Sequence, residues 1–357
     1  MGGSAFTASL PDAVFPRMSP ARYEALKADL HARLLTLFAR VGTPREAPGK
    51  PDYGDIDFVV TDPLPVLVKQ NHRHLEVLSE TLGAAHALAN NTDSFAIAMA
   101  PEREEDKHLE QIFVQVDVNK CGSVEKWGRV MFFHSFGDLG MILGLLARSY
   151  GLSLGEKGIK IVTAIAEEDE LSSFFLSDNF DDILGFFGLD REVHDRGFPT
   201  QRAVFDWVRS SRLFHPACLH ESARREHRRQ DRKMYLNFLQ FVRDVEDSGD
   251  YNDTAPLSRK EIVDQAKLHF GKEDEFNALV LSKKRSTHIK SIFTGKHVME
   301  WTGVQGMIVR EIMNGVRAEV SEDQMMAMSA EDMEQVVCRV HAEINIKRLA
   351  AADSETA

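Results

Sequence analysis

At 357 residues, with 43% hydrophobic and 27% charged residues, the chain has the composition of a soluble globular protein and the length for two domains with their own cores. A formal net charge of -12 argues against strong non-specific binding to nucleic acid, while leaving room for a local basic groove. Cys121, Cys218 and Cys338 are odd in number and far apart, which argues against a disulfide framework or a zinc cluster and suits a reducing cytoplasmic setting.

The stretch Met1 to Arg17 lacks the basic start, apolar core and small-residue cleavage site of a secretory signal. Ser19-Pro20 opens a helix, since Ser caps and Pro suits the first helical position. Tyr23, Leu26, Leu30, Leu34, Leu37 and Val41 follow at helical spacing, and Gly42 is read as the end of that helix. Eleven residues from Pro44 to Gly54, broken by prolines and glycines, form a loop. A strand follows from Asp57 to Val60, then a helix from Asn71 to Ala89, a strand from Ser94 to Ala100 and the best strand of the chain, Ile112 to Asn119. Val130 to Leu154 is the most apolar stretch, but His134, Asp138 and Arg148 interrupt it, so it reads as buried helix and no membrane partner is expected. Gly158 to Ala164 is one more candidate strand, and from Asp178 onward the periodicity is mostly helical. The expected division is an α/β catalytic domain over 1–155, a helical domain over 156–255, a C-terminal helical region over 256–350 and a tail over 351–357.

In a strand, side chains alternate faces, so Asp55 and Asp57 point one way while Ile56, Phe58 and Val60 point the other. Downstream, Val114, Val116 and Val118 make an apolar face, with Gln115, Asp117 and Asn119 opposite. Two carboxylates on one face, with a third from a neighbouring strand, suit two divalent cations around a triphosphate. The same residues also fit a solvated strand end and an edge-strand charge.

The combination of Val41-Gly42-Thr43, then the loop, then Asp55-Ile56-Asp57-Phe58, then Asp117 resembles the nucleotidyltransferase superfamily of DNA polymerase β, poly(A) polymerases, CCA-adding enzymes and aminoglycoside nucleotidyltransferases. Thr43 stands where that family usually has Ser or Gly, and the likeness covers roughly 20–155, under half the chain. It implies a polymerase β-like palm with a mixed sheet, followed by a mostly α-helical domain. It further implies that Asp55, Asp57 and Asp117 ligate Mg²⁺ or Mn²⁺, and that Asp117 helps to deprotonate an acceptor hydroxyl. Gly42 and Thr43 would meet the β- and γ-phosphates of an NTP such as ATP. Arg45 and Lys50 lie in the intervening loop, and Lys50 is the candidate to neutralise a triphosphate.

Two basic stretches, 224–233 and Lys283-Lys284-Arg285 with His288 and Lys290, fit either phosphate contacts or solvated helix faces. Phe293 to Gly306 reads as helix, glycine turn, helix and loosely resembles a C-terminal segment of CCA-adding enzymes, with His297 in place of an Asp. His72, His74, His215 and His220 lack companions at metal-ligand spacing. The expectation is a metal-dependent nucleotidyltransferase acting on an RNA end, a small molecule or a protein hydroxyl. The alternative is an inactive member of the same fold serving as a binding or scaffold subunit.

Overall fold

The computed structural model describes residues 4–69, 73–90, 92–101, 111–162, 173–224, 232–249, 251 and 256–355. The chain divides into two compact units, the first running to Ala166 and including Ser173–Phe270, the second built on Gly271–Ala357. Expected boundaries at 155 and 255 both fall within the first unit.

The first unit begins with a short 3-10 turn, Ser4–Phe6, and helix α1, Pro20–Leu34. Ser19 caps α1 through its hydroxyl, which accepts from the Arg22 N–H, and Pro20 occupies the first turn as its sequence predicts. The helix stops earlier than expected. Thr36 folds its hydroxyl back onto the Arg33 carbonyl, and Phe38–Gly42 forms a strand, β1, in place of a last helical turn. Leu37 and Val41 fit the helical stripe by spacing alone, but Arg40 and Val41 pair with Thr61 and Val60 of β2, Asp55–Pro63.

After β2 come α2, Pro65–Val68, and α3, His74–Leu82. The helix expected up to Ala89 ends at Gly83 in the left-handed region, and Ala84–Leu88 becomes β3. Strands β4, Asp93–Ala98, and β5, Phe113–Lys120, complete a mixed sheet of order β1-β2-β5-β4-β3. Its one parallel pair is β2 with β5, and the other three pairs are antiparallel.

One face of the sheet buries Ile56, Phe58, Val60, Val114, Val116 and Val118 against Tyr23, Leu30 and Leu34 of α1 and Leu78 and Leu82 of α3. The opposite face is covered in two places. Helix α4, Val124–His134, packs Trp127, Val130 and Met131 on Val59, while Phe6 packs with Phe113 and Ala96 at the other side. The Asp-bearing row of β2 and β5 lies between these covers.

Helix α5, Leu139–Ser149, is almost wholly buried and bends by 90° from α4. Among the described residues no single helix is long and apolar enough to cross a membrane. A small antiparallel sheet follows, β6 Leu152–Gly155, β7 Gly158–Ile161 and β8 Phe174–Ser177. The unit closes with α6 Phe180–Phe187, α7 Arg191–Arg196, α8 Gln201–Arg209, α9 Pro216–Arg224, α10 Lys233–Ser248 and α11 Arg259–His269. The second unit is helical: α12 Glu273–Ile292, α13 Gly295–Thr302, α14 Met307–Glu319, α15 Glu322–Met325 and α16 Ala330–Glu355. Its core joins Ile292, Val298, Ile312, Val316, Met333 and Val337, and the expected glycine turn at Gly303–Gly306 joins α13 to α14.

Gly42 marks a close approach of β1 to α4. A Cβ there would lie 2.7 Å from Trp127 Cζ2 and 2.9 Å from Met131 Cε, inside van der Waals contact. Trp127 is itself fixed by donating Nε1–H to the Val59 carbonyl at 2.9 Å. Gly42→Ala is therefore expected to lower stability by about 1–3 kcal/mol through overpacking, read as a shifted urea midpoint at constant slope. An unchanged midpoint would mean that both side chains yield at no cost.

Candidate active site

Parallel pairing of β2 with β5 sets Asp57 directly abreast of Asp117, and Asp55 abreast of Gln115. Adjacent strands are about 4.8 Å apart, so alternation brings Asp55, Asp57, Gln115 and Asp117 onto one face of two neighbouring strands. Ser94 of β4 lies abreast of Asp117 on its other side. Both strands have their alternate residues locked in the apolar core, which fixes which way the carboxylates point.

Asp117 is partly partnered. Its Oδ2 accepts from Gln115 Nε2 at 2.8 Å, and Ser94 also hydrogen-bonds its side chain. Gln115 is oriented in turn by Ala5, whose backbone N–H donates to Gln115 Oε1 at 3.2 Å. Asp117 Oδ1 is buried with no partner among the described residues. Burial raises the Asp117 carboxyl pKa against the pull of the Ser94 and Gln115 hydrogen bonds.

Asp57 keeps solvent access at the mouth of this row, although protein atoms crowd its carboxyl group. That crowding, then the charges of Asp55, Asp117 and Glu46, push its pKa up to about 7, with Lys50 opposing.

The loop after Gly42 is a fastened structure. Glu46 accepts from the Tyr23 hydroxyl through Oε1 and from Lys50 Nζ through Oε2, both at 2.6 Å. Tyr53 stacks on Tyr23 with ring centroids 3.9 Å apart, and Lys50 Nζ sits 4.7 Å above the Tyr53 ring. Lys50, the expected triphosphate contact, thus already has a carboxylate and a ring as partners. Arg45 faces away from the acidic row, donating to the Asp195 carbonyl at 2.7 Å and lying over Phe136. Thr43 Oγ1 is buried without a partner among the described residues. Gly42 pairs with Val59, two residues along β2 from Asp57.

Tyr23, Glu46 and Tyr53 are neighbours of the site that sequence reasoning missed. Tyr23 fits the apolar stripe of α1, and only the four-residue spacing of Glu46 and Lys50 hinted at their pairing. The basic stretch 224–233 lies mostly outside the described residues. In the second stretch Arg285 pairs with Asp323 at 2.8 Å within the second unit.

The donor set is all oxygen, which suits a hard divalent cation. A row of carboxylates with one elevated pKa and one orphaned buried oxygen is the environment that such a charge would relieve. As the side chains stand, no three His, Cys, Asp or Glu among the described residues are gathered tightly enough to ligate one ion. Gathering a cation here would require Asp55 and Asp57 to turn about their side-chain torsions toward Asp117, which Gln115 and Ser94 hold in place. No protein-family model matches this chain, and no curated protein is detectably similar to it.

Because its folded pKa is raised, Asp57 retains a proton between about pH 4 and 7 that the unfolded chain has released, so stability falls as pH rises through that window. Asp57→Asn removes this cost. Its Tm is expected to exceed that of the wild type at pH 8, with the gap closing by about pH 4. Solvent access limits the gain to on the order of 1 kcal/mol. Equal Tm values at both pH values would mean that the acidic row carries no electrostatic strain.

Proposed function

We propose that this chain is a metal-dependent nucleotidyltransferase with a polymerase β-like palm. It would move a nucleoside monophosphate from an NTP to a hydroxyl acceptor and release pyrophosphate. The observation that supports this most is the abreast placement of Asp57 and Asp117 on parallel strands, with Asp55 on the same face and Gly42, the last residue of β1, paired with Val59 alongside.

In this reading Asp55, Asp57 and Asp117 hold Mg²⁺ or Mn²⁺. A bound cation of that kind lowers the acceptor hydroxyl's pKa and neutralises charge on the departing pyrophosphate. Asp117 Oδ1, the unpartnered oxygen, takes the proton of the acceptor hydroxyl, while Gln115 and Ser94 hold Oδ2 and fix the carboxylate's orientation. The acceptor oxygen bonds the α-phosphorus as the bond from that phosphorus to the β-bridging oxygen breaks. Thr43 Oγ1 donates to a phosphate oxygen, which gives its buried hydroxyl a partner. Lys50 exchanges Glu46 for phosphate, and Tyr23 retains Glu46 when Lys50 leaves.

Asp55 and Asp57 differ from a solvated strand end in one respect: a third carboxylate is held abreast of them by hydrogen bonds rather than left in water. The test is incubation with each α-³²P-labelled NTP, Mg²⁺ or Mn²⁺ and total cellular RNA, beside the Asp55→Ala/Asp57→Ala double variant. Label is expected on an acceptor with the intact protein and to fall by at least about 100-fold in the variant. Where the label lands identifies the acceptor class. Nucleotide binding with no transfer to RNA, protein or small molecules would overturn the enzyme in favour of a binding subunit.

A further inference from the structure

A cavity opens in the first unit at the far end of α5. It measures about 390 Å³, within the roughly 300–1,000 Å³ of small-molecule sites, and is lined by Tyr150, Arg209, Arg212, Phe214, His215 and Tyr251 among others. We propose that it binds a small phosphate monoester carrying a flat ring, the class of a nucleoside monophosphate, independently of the acidic row.

The cavity presents the Arg212 guanidinium and the His215 ring, with no carboxylate among its described lining residues, in a chain of net charge -12. Among the described residues Arg212 is held by neutral groups: its guanidinium donates to the Gln265 side-chain oxygen and lies 5.2 Å from the Phe186 ring centroid. A guanidinium set in place without a countercharge matches phosphate oxygens in geometry and sign. His215 Nδ1 is buried with no partner among the described residues, a ring nitrogen that a ligand hydroxyl or phosphate oxygen would satisfy. The ring of His215 is itself set edge-on to Tyr251, with centroids 5.8 Å apart. Tyr150, Phe214 and Tyr251 give the cavity aromatic walls suited to a planar ring.

The cavity is separate from the carboxylates. The corner before α5 is tied to the loop after Gly42, with Arg45 N–H donating to Ser135 and Phe136 N–H to the Arg45 carbonyl. Tyr150 follows the other end of α5, and an 11-residue helix is roughly 16 Å long.

The test is titration calorimetry on the full chain in EDTA with the four common nucleoside monophosphates, ribose 5-phosphate, adenosine and inorganic phosphate. At least one monophosphate is expected to bind saturably, at least about tenfold tighter than ribose 5-phosphate, adenosine or inorganic phosphate. Arg212→Gln, at an exposed position, is expected to weaken it at least about tenfold with Tm unchanged. His215→Phe keeps a ring, removes Nδ1 and is expected to weaken binding as well. Asp55→Asn/Asp57→Asn is expected to leave affinity unchanged, so this site and the transferase reading fail separately. No saturable binding by any monophosphate would overturn the proposal. So would equal binding of a monophosphate and its phosphate-free or ring-free counterparts, or binding lost with the aspartates and kept in both cavity variants.

Discussion

The register between β2 and β5 is the constraint on which the rest of the first unit depends. A slip of β5 by one residue would turn Asp117 into the core and expose Val114 and Val116, and a slip of β2 would turn Asp55 and Asp57 inward and expose Ile56. The apolar face makes that slip costly, because six of its side chains are buried against α1 and α3. The same burial that stabilises the sheet therefore compresses the carboxylates together. The raised Asp57 pKa, which comes first from crowding by protein atoms and then from the charges of Asp55, Asp117 and Glu46, is sustained by hydrophobic packing on the reverse side of the same strands.

Parallel neighbours need a long crossover, and here the crossover is put to use. Between β2 and β5 the chain makes α2, α3 and the β3–β4 pair, which adds to the sheet beyond β5. That places β5 inside the sheet, with Ser94 available to Asp117 from the far side. The loop from Thr43 to Gly54 is similarly occupied. Arg45 reaches the end of α7, Glu46 joins Tyr23 to Lys50, and Ala47 packs within 2.8 Å of where a Gly137 side chain would begin. Gly137, at φ +67°, is a position where both backbone conformation and space demand glycine.

Strands with strict alternation were readable from the sequence, and β5 is the clearest case, since Val114, Val116 and Val118 leave no competing period. The facing of Asp55, Asp57 and Asp117 followed from the same rule. Strands β1 and β3 were hidden because each continues a helical stripe: Leu37 and Val41 sit at helical spacing after Leu34, and Ala84–Leu88 is rich in residues that helices tolerate. What decided them is pairing with β2 and β4, a non-local interaction that a local pattern does not record. The partners of Glu46 and Arg45 were invisible for a related reason, since Tyr23 and Asp195 are distant from them in sequence. His215 offered no metal spacing and gained interest only from the cavity that surrounds it.

The three tryptophans are distributed so that fluorescence can resolve the molecule region by region. Trp127 is hydrogen-bonded to the backbone of β2 at Val59, two residues from Asp57. Trp207 lies among Phe198 and His194 in the helical part of the first unit, its indole N–H bonded to the Asp190 carbonyl. Trp301 stacks on His297 in the second unit. Single-tryptophan variants would therefore give the sheet, the adjoining helices and the second unit separate optical signals, and show whether they melt as one cooperative block or in succession.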